Sequence, residues 1–389
     1  MKKVILSLFF LIFISRQSFA QRTWVDSMEV YAQTVLMPPH KYTWTWQSAA
    51  LLKTMIVRYE QSSMSEQKKY LDYVKKSIGN VRIMVNGRNP NNVASGVGLA
   101  FLARVTGEQK YIDAANKVFK QYLNIPRAEN GGVTHLANYK ELWDDTVYMI
   151  GVFLQEMYRL TGDEKYISEL VGQIDAHREK LHNKEWGLWY HGWDGDNKNH
   201  CNFCGQNGWS DNPDKRSQEF WGRGNGWVIV TLSETLQLLP AEHPHREKLA
   251  SYLKEMLVRL PELQDSATGH WFQLPVRKNE AGNFIESSCT AMFAFGILSA
   301  LDMGILSGNE YQQSVDRAFY GLRNYSVKEL KGSYLTTKNV CKGTCIGDKD
   351  YYFNRSAKSE KKYGLGMFIL FGSSYVLNSN SFDSSNRTK

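Results

Sequence analysis

Two adjacent carboxyl groups stand at the start of a predicted helix, in the segment Glu141-Leu-Trp-Asp-Asp-Thr-Val-Tyr-Met149. An aspartate before an apolar helix is ordinarily an N-cap, and this remains one interpretation of Asp144 or Asp145. Two aspartates between Trp143 and Tyr148 are more than a cap requires. Aromatic neighbours desolvate a carboxyl group and raise its pKa towards the range of a general acid. The segment therefore predicts acid catalysis, with capping as the alternative.

A second segment, Glu219-Phe-Trp-Gly-Arg-Gly-Asn-Gly-Trp227, precedes an apolar, helix-like run that begins at Val228. Glycines at alternate positions suit a backbone that turns sharply or lets a ligand come close. Trp221 and Trp227 offer flat apolar faces, and Arg223 offers a planar fork of donors. These features favour a site for an acidic sugar. A glycine-rich helix entry with two core tryptophans explains them equally well.

A third segment, Trp189-Tyr-His-Gly-Trp-Asp194, concentrates three aromatic rings, one histidine and one aspartate. A lone histidine in a strand is more often structural than catalytic. The cluster favours a wall that binds sugar or positions a proton, with His191 as its titratable group. Downstream, Glu286-Ser-Ser-Cys-Thr290 opens an apolar helix, where ordinary capping competes with binding of a ligand anion. The sequence contains no nucleotide-binding loop, zinc-protease pair or serine elbow.

Helix pairs must position these segments. Thr106-Gly-Glu-Gln-Lys-Tyr111 recurs as Thr161-Gly-Asp-Glu-Lys-Tyr166, fifty-five residues later. In both copies an apolar helix ends at the glycine, and an acidic first turn starts the next helix. A glycine turn followed by a short aromatic strand also recurs, at 130–135, 186–191, 268–273 and 332–336.

Six units of this size fill the ordered chain. They predict an all-α ring of six helix pairs, with short β-ribbons in the long loops. Tight turns then lie at one end of the ring, and the loops that carry function lie at the other. An open solenoid of helix pairs fits the same period.

The amino terminus predicts export. Lys2-Lys3, an apolar run from Val4 to Ile14 and Ser18-Phe-Ala20 form a signal peptide with cleavage after Ala20. The run is too short to span a bilayer, and no cysteine follows the cleavage site, so we expect no membrane anchor. Residues 21–377 contain no linker and predict a single catalytic domain. The polar residues 378–389 predict a disordered tail.

The net charge is +8, with a pI of about 9.0 and scattered basic residues. This charge favours solubility, or attraction to an anionic substrate. The sequence has no basic helix or nucleic-acid motif, so a nucleic-acid partner is not expected. Aromatic residues make up 13% of the sequence, including 11 tryptophans, which favours a site where sugar rings stack on flat side chains.

Five cysteines leave two alternatives open. Cys201 with Cys204, and Cys341 with Cys345, are predicted to form disulfides within or between these pairs, as export allows, or to remain free thiols. With His200, the same residues resemble a four-ligand zinc site. The fifth cysteine, Cys289, is predicted to be a buried apolar residue.

Taken in order, the segments from Trp143, Trp189, Glu219 and Glu286, followed by Asp350-Tyr-Tyr-Phe-Asn-Arg355, resemble glycoside hydrolase family 105. The resemblance covers roughly Trp24 to Leu377. The family contains unsaturated rhamnogalacturonyl hydrolases and has relatives among unsaturated glucuronyl hydrolases. The resemblance implies an (α/α)6 barrel and neither a metal nor another cofactor.

The implied reaction starts from a sugar to which a polysaccharide lyase has given a C4–C5 double bond at the non-reducing end. The hydrolase protonates this vinyl ether, water adds at C5, and the hemiketal collapses and releases the neighbouring sugar. One carboxyl group that donates a proton and then helps to activate water suffices. Ordinary glycosidases need two.

The resemblance implies that Asp145 is the general acid and base. Arg223 is the candidate for binding the uronate carboxylate. The predicted substrate-binding set consists of residues in these segments and in two upstream loops: Trp44, Trp46, Asn91, Asp144, Trp189, His191, Arg223 and Trp227.

One departure concerns Asn91-Asn92, where family members commonly carry a second aspartate. An amide can position sugar or water. It cannot share a proton, nor raise the pKa of Asp145 by like-charge repulsion.

The expected substrate is an acidic oligosaccharide with a uronyl–rhamnose bond, from pectic rhamnogalacturonan or from sulfated ulvan. The basic pI leans slightly towards the sulfated product. A non-catalytic sugar-binding protein on the same scaffold is the main alternative, supported by Asn91-Asn92. Sugar epimerisation is a third interpretation. It requires a second histidine to face His191, which the sequence does not nominate.

Overall fold

Six helices form the inner wall of a closed ring. They are α2 (Trp46–Gln61), α5 (Gly96–Thr106), α7 (Thr146–Thr161), α9 (Gly222–Leu238), α12 (Ser287–Asp302) and α15 (Lys362–Ser385). Each packs against the next in this order, and α15 packs back on α2. The computed structural model describes residues 24–79, 85–136, 139–196, 205–358 and 360–385. The predicted (α/α)6 barrel is confirmed, because an open solenoid would leave α2 and α15 apart.

A second layer of helices surrounds the first. It contains α3 (Met64–Gly79), α6 (Gln109–Tyr122), α8 (Lys165–Leu181), α10 (Arg246–Leu257) and α13 (Asn309–Gly321). The sixth outer position is filled by α1, residues 24–31, which continues into a π-helical turn at Ala32–Leu36 and packs on α15. The chain therefore closes its ring with one helix from each end of the domain.

The hydrophobic pattern decides which helix of a pair lies inside. All residues from Ser287 to Ala300 in α12 are buried, and no charged side chain interrupts them. Outer helix α6 is buried only at Tyr111, Ala115, Val118 and Tyr122, the spacing of one helical face. A helix that is apolar all round belongs in the interior, and one with a single apolar stripe covers it.

Left-handed glycines end two inner helices at the tight-turn end of the ring. Gly107 and Gly162 have φ values of 66° and 67°, and their amides donate to the carbonyl oxygens of Ala103 and Tyr158. Only glycine adopts this conformation without strain. The predicted turn between repeated helices is thus present in both copies.

Three two-stranded antiparallel ribbons lie in the loops at the other end. They pair β1 (Glu141–Trp143) with β2 (Gly192–Asp194), β3 (Val327–Glu329) with β4 (Leu335–Thr337), and β5 (Val340–Cys341) with β6 (Ala357–Lys358). The same loops contain the short helices α4 (Pro90–Val93), α11 (Leu260–Leu263) and α14 (Lys349–Phe353). This loop end, where the inner helices begin, carries the segments singled out above.

The glycines of the 219–227 segment belong to the first turns of the helix, so the glycine-rich helix entry, one of the two alternatives left open, is what the structure shows. Helix α9 begins at Gly222. A Cβ atom at Gly222, Gly224 or Gly226 would lie within 3.0 Å of neighbouring protein atoms. These glycines therefore let inner helices and loops approach α9 closely, and the helix starts six residues before the predicted apolar run at Val228.

The carboxyl-terminal helix α15 extends to Ser385, beyond Leu377, the predicted end of the ordered domain. Asparagine and serine after Leu377 are neutral in helix propensity, and a helix already packed in the ring can propagate through them. Residues 1–20, the predicted signal peptide, lie outside the described residues. Within the described chain, no helix is both long enough and apolar enough to cross a membrane.

The cysteines divide into buried thiols and a disulfide. Cys289 and Cys341 are free and buried, as predicted for Cys289. Cys345 is disulfide-bonded. Cys201 and Cys204 lie outside the described residues. Because Cys345 is oxidised and Cys341 is a free thiol, these two do not act together as zinc ligands.

Candidate active site

Asp145 occupies the N-cap position of α7, but its side chain makes no capping hydrogen bond. Its Oδ1 is buried and has no hydrogen-bond partner within the described residues. The imidazole of His135 lies close by, with its Nδ1 3.5 Å from Oδ1. The residue remains 8% exposed. Its carboxyl group is thus not used for capping, the alternative that the sequence left open.

Asp144 is fully buried beside the same site. The register of the β1–β2 ribbon continues through its backbone amide, which donates to the carbonyl oxygen of His191 at 3.0 Å. A Cβ atom at Gly224 would lie 2.2 Å from Asp144 Oδ2, so the missing side chain of this glycine makes room for the carboxyl group. Neither oxygen has a hydrogen-bond partner among the residues described.

Burial controls the protonation of both aspartates. Desolvation raises the pKa of Asp145, and the nearby His135 and Arg223 partly offset this effect. The pKa of Asp144 lies well above its ordinary value because of burial and, secondarily, the adjacent Asp145. Asp145 therefore keeps its proton at higher pH than an exposed aspartate. A partly desolvated carboxyl group with slight access to solvent is suited to general acid catalysis.

His191 is held between aromatic rings. Its ring lies against Trp221, with centroids 4.4 Å apart and planes tilted by 31°, and meets Trp143 in a T-shaped arrangement at 5.4 Å. Nδ1 lies 2.6 Å from the hydroxyl of Tyr352, which α14 supplies from the Asp350–Arg355 motif. Burial places the pKa of His191 well below its ordinary value, so the ring is neutral. Its Nε2 has no partner within the described structure.

His135 is a site residue that the sequence analysis missed. Its ring stacks face to face on Trp143 at 4.4 Å, and its Nδ1 lies 2.9 Å from Thr146 Oγ1. On the other side, Nδ2 of Asn91 lies 3.3 Å from Nε2. An amide nitrogen can only donate, so Nε2 accepts and Nδ1 carries the ring proton. That proton faces Thr146 and Asp145.

A repeat signal could have identified His135. Gly131 and Gly187 have positive φ values, and each starts a short ribbon strand. His135 and His191 are the fourth residues after these glycines. The two histidines therefore occupy equivalent positions in neighbouring units. The second histidine that the sequence did not nominate is present, although it contacts the face of Trp143 while His191 contacts its edge.

Arg223 is engaged with the protein itself. It is completely buried and donates to the carbonyl oxygens of Cys341 at 3.0 Å and Lys342 at 2.9 Å, with Glu286 Oε1 at 3.4 Å. Only its Nε has no partner among the described residues. Binding of the uronate carboxylate by Arg223 stays a prediction, and in this conformation the N–H of Nε and the second N–H of Nη2 are left for it.

Glu286 acts as a helix cap. Its Oε2 accepts from the backbone amide of Cys289 at 2.7 Å, and its Oε1 accepts from the amide of Cys341 at 2.9 Å. Ordinary capping, the alternative favoured from the sequence, is therefore what the structure shows at α12. The same carboxylate ties the 341–342 backbone to Arg223.

Trp227 and Trp46 lie in the first turns of α9 and α2. Trp227 is buried against Tyr148, with ring centroids 4.2 Å apart. Trp46 meets the edge of Trp227 at 6.5 Å and lies 4.8 Å from Tyr363. These rings form an apolar floor between the inner helices. The half-buried Trp46 retains exposed surface there, whereas Trp227 has almost none.

Two predicted residues lie apart from this cluster. Trp44 donates to the carbonyl oxygen of Asn86 and lines a cavity of about 240 Å³ between α3, α5 and α6. Trp189 is buried in the core, where Asn225 accepts from its amide at 2.7 Å and donates to its carbonyl oxygen at 2.9 Å. Trp189 thus anchors the ribbon to α9. Its buried position in the core does not support a direct contact with substrate.

Comparison with known proteins gives a consistent family. The model of Glycosyl Hydrolase Family 88 matches residues 19–378. An unsaturated rhamnogalacturonyl hydrolase from Bacillus subtilis (strain 168) is 27% identical over 85% of this chain and 89% of its own length. An unsaturated 3S-rhamnoglycuronyl hydrolase from Alteromonas sp. (strain LOR) is 25% identical over 56% of this chain and 52% of that protein.

Solved structures agree with this result. A family 105 glycoside hydrolase from C. acetobutylicum ATCC 824 has a TM-score of 0.78 at 26% identity, over 90% of this chain and 99% of that one. A possible family 105 member from Klebsiella pneumoniae has a TM-score of 0.72 at 25% identity, over 87% and 84% of the two chains. The resemblance to family 105 is confirmed. The chain belongs to glycosyl hydrolase family 88, with structural relatives in family 105, and it is a glycoside hydrolase.

Proposed function

We propose that the protein removes a 4,5-unsaturated uronyl residue from the non-reducing end of oligosaccharides that a polysaccharide lyase has produced. The observation that carries this proposal is the carboxyl group of Asp145. It stands at the start of an inner helix, is largely desolvated and caps nothing. Hydration of a vinyl ether needs one such proton donor. Relatives named for unsaturated rhamnogalacturonyl and rhamnoglycuronyl hydrolysis support the same chemistry.

The first step is transfer of the Asp145 proton to C4 of the unsaturated sugar. The electrons of the C4–C5 double bond form the new C–H bond, and the resulting positive charge is shared between C5 and the ring oxygen. Water then attacks C5 and loses a proton to the Asp145 carboxylate, which restores the acid. The product is a hemiketal at C5.

Collapse of this hemiketal releases the aglycone. The C5–O5 bond breaks, C5 becomes a ketone, and O5 remains on C1 as part of a hemiacetal. The hemiacetal then expels the neighbouring sugar as an alcohol and leaves an aldehyde at C1. No covalent bond to the protein forms, so a second carboxylate nucleophile is not required.

His135 stabilises the ionised form of Asp145 in this scheme. Its Nδ1–H faces Asp145 Oδ1 at 3.5 Å, and Asn91 fixes that tautomer by donating to Nε2. After the first proton transfer, the carboxylate gains a nearby donor without a second acid in the site. Asn91 thus has a defined role here, even though it cannot share a proton.

The proposed substrate class is supported by the net charge of the protein and by its predicted export. The chain keeps a net positive charge after removal of residues 1–20, which contain Lys2, Lys3 and Arg16 and no acidic residue, and this charge attracts an anionic oligosaccharide. The predicted signal peptide and the disulfide at Cys345 support export, since disulfides persist in oxidising compartments. A uronyl–rhamnose bond from rhamnogalacturonan or from ulvan fits the two kinds of named relative. Arg223 and Trp46 are the proposed contacts for the uronate carboxylate and the sugar ring.

The test is the ultraviolet absorbance of the conjugated double bond. Purified protein is mixed with lyase digests of rhamnogalacturonan and of ulvan in parallel, and the absorbance of each is followed. Loss of absorbance shows that the double bond is consumed, and the digest that responds identifies the substrate. A constant signal in both digests, with saturable binding of either, would contradict hydrolysis of these substrates and favour a binding protein.

A further inference from the structure

Three side chains, one of which is that of the proposed acid Asp145, lie close together at the loop end. One ligand atom from each of Asp144, Asp145 and His191 lies within 4.8 Å of the other two. The ribbon register sets this arrangement, because the amide of Asp144 pairs with the carbonyl oxygen of His191. All three side chains are buried, and Asp145 alone keeps some exposure.

The converging atoms are also unpartnered. Both oxygens of Asp144, Oδ1 of Asp145 and Nε2 of His191 make no hydrogen bond within the described part of the chain. Buried polar groups are nearly always satisfied by protein, water or an ion. Four unpartnered polar atoms on three clustered, buried side chains therefore call for such a partner.

His191 is already oriented as a metal ligand would be. Its Nδ1 lies 2.6 Å from the hydroxyl of Tyr352, and donation there leaves the lone pair of Nε2 free. Histidines that ligate metals ordinarily donate their second ring nitrogen to a neighbouring acceptor in this way. Packing against Trp221 fixes the plane of the ring.

We propose that Asp144, Asp145 and His191 form a site for one divalent transition-metal ion of the Zn²⁺ type, with Asp145 at its solvent-facing side. Two carboxylates and one imidazole match the mixed oxygen and nitrogen ligands of zinc and leave a fourth position open. Mg²⁺ is disfavoured because it requires octahedral oxygen coordination. The ion enters past Asp145, the one ligand with exposed surface.

An ion bound at this site would change the rate of the proposed hydrolysis. This second part of the inference rests on the proposed function. A metal-bound Asp145 carboxylate cannot carry the proton that is transferred to C4. The ion is therefore an inhibitor and not a cofactor. Activity should be highest in the presence of a chelator and should fall as Zn²⁺ fills the site.

Binding is tested without substrate, so that it stands or falls independently of the proposed function. Isothermal titration of the wild-type protein with ZnCl₂ should show one saturable site, and MgCl₂ should show none. Asp144→Asn should weaken Zn²⁺ binding by more than the roughly 10–100-fold that loss of an outer-shell partner costs. Glu141→Gln is the matched control, because Glu141 is a buried acid of the same ribbon outside the three ligands.

No saturable Zn²⁺ binding by the wild type would overturn the site. So would equal weakening by Glu141→Gln and Asp144→Asn. Electron paramagnetic resonance of the wild type with one equivalent of Cu²⁺ gives a check that needs no variant, since coupling to a single imidazole nitrogen is expected and its absence contradicts the assignment. Hydrolysis in chelator that Zn²⁺ does not inhibit would remove the inhibitory role alone and leave the proposed hydrolysis standing.

Discussion

Buried charge is paired at the turn end of the barrel but only partly at the loop end, where Arg223 and Glu286 lie 3.4 Å apart and, within the described chain, two aspartates have no such partner. At the turn end, Lys53 and Glu234 form an ion pair at 2.8 Å that joins α2 to α9 across the ring. Arg104 pairs with Glu156 there at 2.7 Å. At the loop end, the carboxyl groups of Asp144 and Asp145 are just as buried but have no ion pair with lysine or arginine among the described residues.

This difference separates structural from functional charge. Buried ions are costly unless they are paired, and the turn end obeys this rule. Unpaired buried acids at the loop end persist only because α7, α9 and the β1–β2 ribbon hold them. Perturbed groups of this kind are typical of active sites.

Cavity size alone would point to the wrong end. A cavity of about 810 Å³ lies at the turn end, lined by the carboxyl-terminal parts of α2, α9, α12 and α15. Its acids include none of the unpartnered aspartates. The position of unsatisfied carboxyl groups is therefore a better guide to this site than open volume.

Asp145→Asn should abolish the function of the loop end, and we expect this variant to have the largest effect. Loss of the proton donor should lower kcat by about 10²–10⁴-fold, the usual contribution of general acid–base catalysis. The thermal unfolding midpoint should stay close to that of the wild type, because the amide fills the same space. Loss of ultraviolet absorbance measures the rate, and near-normal turnover would remove Asp145 from its role.

Glu234→Ala should destabilise the turn end and leave catalysis unchanged. It strands the buried ammonium of Lys53, so the free energy of unfolding should fall by about 3–5 kcal/mol in denaturant titrations. Activity per folded molecule should be unchanged. The double variant Lys53→Met with Glu234→Leu should recover most of the stability, and failure to do so would show that the pair has more than a structural role.

Gly224→Ala should distort the loop end without removing a functional group. Alanine would ordinarily stabilise a helix by about 1 kcal/mol over glycine. Here its Cβ would lie 2.2 Å from Asp144 Oδ2, so overpacking should lower the free energy of unfolding by about 1–3 kcal/mol and reduce turnover.

Gly172→Ala is the matched control for this variant. Gly172 lies in α8 with open space around its Cα, so alanine should stabilise the protein by up to about 1 kcal/mol and leave turnover unchanged. Similar effects of both alanines would contradict the close approach of Asp144 to α9.

Asn91→Asp should change the pH dependence. The raised pKa of Asp145 means that activity is full below this pKa and is lost as the pH rises through it. A carboxylate at position 91 would accept a hydrogen bond from His135 Nε2–H, which places the ring proton on Nε2 and removes it from Nδ1, the nitrogen that faces Asp145. Together with like-charge repulsion, this should move the alkaline limb of the kcat profile upwards by about 1 pH unit. A downward shift would indicate that His135 becomes positively charged instead.

Much of the fold was predictable from the sequence because local signals repeat. The paired segments from Thr106 and Thr161 end in left-handed glycines, and their period yields six helix pairs. The start of α9 was not predictable in this way. Its glycines fit a turn and a helix entry equally well locally, and only packing against Asp144 and neighbouring helices explains why they are helical.

The site was partly predictable for the same reason. Asp144, Asp145 and His191 come from two segments whose aromatic neighbours made them conspicuous, and the structure brings them together. His135 was missed because residues 130–135 contain no other titratable or aromatic side chain. Arg223 has the expected type, but its donors are used by backbone carbonyl groups more than a hundred residues away, which no local pattern shows.

The most direct test of the central claim is to follow the reaction in D₂O by NMR with the digest that the absorbance assay selects. If Asp145 donates to C4, the 5-keto sugar formed from the unsaturated residue should carry one deuterium at C4 after a single turnover, and Asp145→Asn should incorporate deuterium there far more slowly. Release of the neighbouring sugar without deuterium at C4 would contradict vinyl-ether protonation and the role of the unpaired acid.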